Sequence, residues 1–161
     1  MTVECLSAEE VLASAKKFQD FNLTEWKRRW PNFRPSEFAC RGSGLVPTAK
    51  QFFDSLDCLQ ALRRAHGKPL FINSAYRSPK YNKSIGGASR SQHPLGRAFD
   101  VSIGNLDPFA FEELAISYGF QGIGRYKTFI HIDTREQKAR WTSGQWEHAW
   151  QARQQATSLT A

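Results

Sequence analysis

The stretch Ser91 to Asp100, SQHPLGRAFD, decides the reading of this 161-residue chain. His93 and Asp100 flank Gly96, and the run from Ala98 to Ile103 alternates in polarity behind them. In an extended strand Ala98, Asp100 and Ser102 face one way, and Phe99, Val101 and Ile103 the other. Asp100 is therefore expected on the polar face of a half-buried strand, with His93 on the loop that enters it. A neutral imidazole and a carboxylate are ligand types that zinc takes at about 2.0–2.2 Å.

Phe129 to Thr134 shows the same alternation. His131 and Asp133 share one face of this expected strand, Ile130 and Ile132 the other. Three ligands from two strands and a loop would leave a fourth position for water, as in catalytic zinc sites. A hydrogen-bonded core histidine fits the same spacing, and spacing alone leaves both readings open.

Further motifs bracket these two. Ser-Ala-Tyr-Arg-Ser-Pro begins at Ser74, and Gly122-x-Gly124-x-Tyr126 leads into His131-x-Asp133. In this order, from about Phe33 to Trp141, the chain resembles the M15 zinc peptidases. That family comprises D-Ala-D-Ala carboxypeptidases and murein endopeptidases, phage endolysins among them, and shares its fold with the hedgehog signalling domain. The resemblance implies zinc on His93, Asp100 and His131, and Arg77 near the substrate carbonyl. It places Tyr76, Ser91 and Tyr126 within motifs expected to contact substrate.

Length and composition bound the rest. A chain of 161 residues with 40% apolar residues, five Trp and twelve Phe is expected to form one domain with one core. We expect that domain over residues 1–161: a core of about 33–141, an N-terminal helix over 7–20 and a C-terminal tail over 142–161 as appendages. No run of about 18 apolar residues suggests a membrane span, and MTVECLSAEEVL lacks the apolar centre of a secretory signal. The expectation is a protein made in the cytoplasm that acts on the cell wall, after holin release or as a virion component. Cys5, Cys40 and Cys58 form no CxxC pair and are expected as reduced thiols. The net charge of +7 comes from scattered bases without a nucleic-acid-binding motif. It suits approach to anionic envelope polymers, and no nucleic-acid partner is expected. A monomer is expected.

Along the chain, Ser7 and Glu10 form a capping signal for the first helix. Asn22 to Pro35 reads as irregular, its aromatics Trp26, Trp30 and Phe33 more suited to a core than to a groove. Pro47 to His66 reads as the principal helix, stopped at Gly67. Lys68 to Tyr76 contains a short strand, and Lys80 to Arg90, with Gly86-Gly87, a flexible loop. Asp107-Pro108 opens another helix, Phe120 to Tyr126 returns as a strand, and Gln145 to Gln155 suits a short helix with Trp146 and Trp150 packed back. The sum is an α+β domain with a small, mainly antiparallel sheet packed with helices, similar to hedgehog and DD-peptidase folds.

The chemistry expected is zinc-assisted hydrolysis of a peptidoglycan amide, with Arg77 stabilising the oxyanion. Relatives in the resembled family place Glu or Asp three residues before the last histidine, where this chain has Thr128. Asp133, on the same strand face, is the expected substitute as general base, and Tyr126 a further hydrogen-bonding group. Orientation of a zinc ligand, or pairing with Arg77 or Arg135, is the structural alternative for Asp133. At the level of the whole protein, the alternative to a peptidase is a noncatalytic zinc domain that binds cell wall or protein.

Overall fold

The computed structural model describes residues 4–160, so the ends of the expected 1–161 domain lie outside the described residues. Helix α1 covers Ala8–Ser14, where Ser7 accepts from the Glu10 amide and the Glu10 carboxylate accepts from the Ser7 amide. It is shorter than expected: Ala15 turns extended, strand β1 follows at Lys16–Lys17, and a 3-10 turn at Phe18–Asp20. The segment read as irregular contains helix α2, Leu23–Arg29, because the Asn22 side chain accepts from the Thr24 and Glu25 amides. Strand β2, Leu45–Val46, pairs antiparallel with β1.

The principal helix α3 spans Lys50–His66 and stops where Gly67 takes the left-handed conformation (φ 77°). Phe52, Leu56, Leu59 and Leu62 recur on its inner side and are fully buried. Each such side chain contributes about 1.5–3 kcal/mol by leaving water. Beyond it come strand β3 (Ile72–Ser74), helix α4 (Pro79–Ser84), strand β4 (Ala98–Ser102) and helix α5 (Pro108–Ser117). Strands β5 (Gly122–Arg125), β6 (Phe129–Asp133) and β7 (Ala139–Thr142) and helix α6 (Trp146–Leu159) complete the chain. Helix α4 occupies part of the stretch read as a loop; Pro79 fits its first turn and Ser78 caps it.

The main sheet has the order β3-β4-β6-β5-β7 and is antiparallel except for the parallel β5–β7 pair. Phe99, Val101, Ile130 and Ile132 point from β4 and β6 into one core with α3, and Phe38 joins Phe52 to Phe99 by edge-to-face contacts. Trp26, Trp30 and Phe33 belong to that core. So does Trp150 of α6, which is fully buried and donates Nε1–H to the Tyr126 carbonyl at 2.8 Å. The expected C-terminal appendage is thus anchored in the body. Arg125 reinforces it, pairing both ways with Glu112 of α5 (2.8 and 2.9 Å) under the rings of Phe109, Trp146 and Trp150. Cys5, Cys40 and Cys58 are all free thiols. Among the described residues no helix is long and apolar enough to cross a membrane.

Candidate metal centre and its cleft

Register builds the centre. In the antiparallel β4–β6 pair Asp100 lies directly opposite His131, so their side chains emerge side by side on the face away from the core. His93 reaches them from the preceding loop. Gly96, in the left-handed conformation (φ 70°), turns that loop into β4, and its amide donates to the His93 carbonyl. Gln51 of α3 holds the loop from behind by donating to the Leu95 carbonyl at 2.8 Å.

The ligand atoms of His93, Asp100 and His131 all lie within 4.8 Å of one another, and all three residues are buried. His93 Nδ1 lies 2.5 Å from the Ala75 carbonyl oxygen, which can only accept, so Nδ1 carries the proton and Nε2 keeps its lone pair. That lone pair faces Asp100 Oδ1 at 3.2 Å. The same oxygen lies 2.9 Å from His131 Nδ1, while His131 Nε2 meets Asp133 Oδ2 at 2.8 Å. Two acceptors at 3.2 Å with no proton between them repel, and a cation relieves that repulsion. The donor set, two imidazoles and a carboxylate, suits zinc.

Protonation states follow from these contacts. Burial pushes His93 below the ordinary histidine range, against the pull of Asp100, which favours the neutral ligand form. Burial also opposes charge on His131, but hydrogen bonds to Asp100 and Asp133 prevail and raise it. For Asp100 burial acts upward, and the bonds from His131 and His93 overcome it and hold the carboxyl well below the usual range. A metal at this centre would therefore displace a proton from His131.

Arg77 backs the centre. Its Nη2 donates to Asp100 Oδ2 at 3.0 Å, its Nε to Ser74 at 2.9 Å and its Nη1 to Asn82 at 3.3 Å. Asn82, which sequence reading passed over, is buried and also donates to the Ala88 carbonyl, tying Arg77 to the cleft's loop.

Strand β5 makes room on the other side. A Cβ on Gly122 would lie 2.2 Å from the Asp133 carboxylate, and one on Gly124 would lie 2.4 Å from the Trp141 indole nitrogen. Because Gly124 pairs with Trp141 across the parallel β5–β7 ladder, the indole crosses the bare glycine and packs on the His131 ring at 5.1 Å. Trp141 also donates to the Tyr126 hydroxyl at 3.0 Å, and Tyr126 stacks on Phe129. The Gly-x-Gly spacing was the available signal for this wall; the residue that fills it lies on β7, beyond the intervening strand β6.

These side chains surround a cleft of about 440 Å³ floored by His93, Asp100 and His131. Arg77, Ser91 and Tyr126 line it; Tyr76 and Asp133 do not. Tyr76 is buried with Val11, Cys40 and Ala49, and burial pushes its hydroxyl up to about 12. Tyr76 packs into that cluster while the neighbouring Arg77 reaches Asp100, which corrects the expected contact with substrate. Asp133 is fully buried; Arg135 binds both its oxygens through Nε (2.7 Å) and Nη2 (2.6 Å). Burial would raise its carboxyl, but Arg135 and His131 hold it well below the usual range, which unsuits it to take a proton. The geometry corrects the general-base expectation: Asp133 orients His131. Thr128 is exposed and lies outside the cleft lining.

Residues 31–133 match the family described as Peptidase M15. The chain belongs to the peptidase M15 family. It is 35% identical over 95 residues to the zinc D-Ala-D-Ala carboxypeptidase of Streptomyces albus G, covering 58% of this chain and 34% of that protein. It is 36% identical over 89 residues to the peptidoglycan L,D-endopeptidase MepK of Escherichia coli K12, covering 51% of this chain and 48% of that protein. The chain thus matches about a third to a half of the length of these M15 relatives. Strand β7 and helix α6, which bring Trp141 and Trp150, lie past the matched segment.

Proposed function

We propose that this chain is a zinc peptidase that hydrolyses an amide bond in peptidoglycan stem peptides or cross-links, working as a cell-wall lytic enzyme of the endolysin kind. The observation that carries it is the convergence of His93 Nε2, Asp100 Oδ1 and His131 Nδ1 on one point in the floor of an open cleft. The two named relatives act, by their names, on D-Ala-D-Ala and on peptidoglycan. His93, Asp100 and His131 would hold the zinc, which supplies Lewis acidity toward a carbonyl and toward water.

The remaining chemistry belongs to the chain. Arg77 has five N–H donors and gives three to Ser74, Asn82 and Asp100, leaving one on each terminal nitrogen for the carbonyl oxygen as it gains charge. The Tyr126 hydroxyl accepts from Trp141, so its own proton is free to bind the peptide. Ser91, which accepts from the His93 amide at 3.3 Å, contributes a second hydroxyl. Positive net charge favours capture of anionic envelope polymers, and the protein acts as a monomer.

One observation favours a second reading, a zinc domain that binds cell wall without cutting it: Asp100 is the one carboxylate among the described residues lining the cleft. Mass spectrometry of fragments from purified peptidoglycan separates the two. Hydrolysis predicts new amine and carboxyl ends that vanish with a chelator and return with zinc. Zinc-loaded protein that releases nothing from several wall chemistries favours the binding domain.

A further inference from the structure

The His93 loop satisfies much of its own backbone: the Leu95 and Arg97 amides donate to the Gln92 carbonyl, and the Gly96 amide to the His93 carbonyl. Two side chains then connect it to a distant part of the chain. Gln51 Nε2 donates to the Leu95 carbonyl at 2.8 Å, and Arg97 Nη2 donates to Gln92 Oε1 at 2.9 Å. Both side chains also hold the arm that precedes α1. Gln51 Oε1 accepts from the Leu6 amide at 2.6 Å, while its Nε2 donates to the Leu6 carbonyl at 3.2 Å. Arg97 Nη1 donates to the Cys5 sulfur at 3.3 Å. The Gln51 amide is used in full, two donors and one acceptor; turned over, its oxygen would face two carbonyls.

Arm and loop are each fixed beyond these contacts. Ser7 caps α1 directly after the arm, Val11 of α1 is fully buried, and Ser14 at the helix end meets Thr48 twice, at 3.2 and 2.7 Å. A Cβ on Gly96 would lie 3.1 Å from Phe52 Cβ, so the loop lies close on α3 beside Gln51. One helical turn further, Ser55 donates to the Gln51 carbonyl at 2.8 Å and meets Thr134, the residue after β6, at 2.6 Å. Gln51 and Ser55, four apart on α3, thus contact both segments that carry the imidazoles of the centre. The arm lies ahead of the matched residues 31–133, and the loop lies within them.

We propose that Gln51 is a positioning residue for the metal centre and that the arm at Cys5 and Leu6 acts through it. The arm fixes the Gln51 amide, Gln51 fixes the Leu95 carbonyl, and the loop so held keeps His93 Nε2 in place against Asp100 and His131. This rests on the zinc reading above. Asp100 and His131 stand on paired strands, whose ladder sets their separation. His93 comes from a loop, so support from outside matters most for this ligand.

The test titrates the metal-free full chain with zinc against a competing chelator, beside denaturant unfolding, in native form and in three variants. Gln51→Glu keeps an acceptor for the Leu6 amide but removes both donors and sets a carboxylate against two carbonyls. Leu6→Pro removes the arm's donor and leaves Gln51 intact. Asn22→Ala removes the cap of α2, which contacts neither arm nor loop through its bonds to Thr24 and Glu25. Zinc affinity should fall by about tenfold in Gln51→Glu and by less in Leu6→Pro. In Asn22→Ala stability should fall while zinc affinity stays at the native value. Native affinity in Gln51→Glu or in Leu6→Pro, or an equal loss in Asn22→Ala, overturns the proposal. If the native chain binds no zinc, the metal reading fails, and hydrogen exchange at the Leu95, Gly96 and Arg97 amides still decides the role of the arm. Faster exchange in Leu6→Pro but not in Asn22→Ala sustains it; native exchange in Leu6→Pro overturns it.

Discussion

On one face of strands β4 and β6, Phe99, Val101, Ile130 and Ile132 are buried among the leucines and phenylalanines of α3 and its neighbours; on the other, Asp100, His131 and Asp133 are buried to a similar depth among one another. Equal burial has opposite meanings on the two faces. Apolar area gains from leaving water, in proportion to its extent and with little demand on direction. Charged and polar groups lose hydration and recover it only through aimed contacts. Every outward atom of the polar face has such a contact, through Ala75, Arg77 and Arg135. The inward atoms of His93 and Asp100 meet as acceptors, and there the polar face remains incomplete without a cation.

Breaking the polar face should cost function without the fold. His131→Ala is expected to weaken zinc binding well beyond the about 10–100-fold that an outer partner supports, and to abolish cleavage. Metal analysis beside circular dichroism checks this; retained zinc would contradict the ligand set. Breaking the apolar face should do the reverse. Phe99→Ala is expected to destabilise the protein by about 3–5 kcal/mol in denaturant titration, while the molecules still folded continue to bind zinc.

Asp133→Asn sharpens the comparison, because it alters a group behind the ligands rather than among them. Zinc affinity should fall by about 10–100-fold, with residual cleavage once zinc is saturating. Cleavage that stays absent in the fully loaded variant would restore Asp133 as the base.

The smallest effect is on pH. His131 is raised in the metal-free protein, so its contribution to stability is present below the unfolded value of about 6.5 and is lost as pH rises through the folded value. Zinc requires the deprotonated ring, so its stabilisation grows in the same direction. Thermal midpoints measured from about pH 6 to about pH 8 should therefore diverge between metal-free and zinc-loaded samples, and parallel curves would refute the assignment.

Legibility in the sequence followed the same division. Alternation along Ala98–Ile103 and Phe129–Asp133 sorts apolar from polar side chains, which locates both strands and brings Asp100 and His131 to one face. Capping chemistry at Ser7 and Asp107 and the glycine stop at Gly67 locate helix ends. Periodicity says nothing about which strands become neighbours. The parallel placement of β7 beside β5, and with it Trp141 over Gly124, depends on pairing between distant segments. The partner choice of Asp133 was open for a related reason: Arg77 and Arg135 were both within reach of the pattern, and only the register gives Arg135 to Asp133 and Arg77 to Asp100. Helices α2 and α4 were missed because each is short and set by a single cap, at Asn22 and Ser78.

The indole of Trp141 lies against the His131 ring and beneath the guanidinium of Arg135. Its excited state is thus exposed to the charge on that imidazole, which a proton or a metal ion changes. Fluorescence compared between the native chain and Trp141→Phe would isolate this one emitter from the other four tryptophans. The protein carries, without any added label, an optical gauge of how its centre is filled.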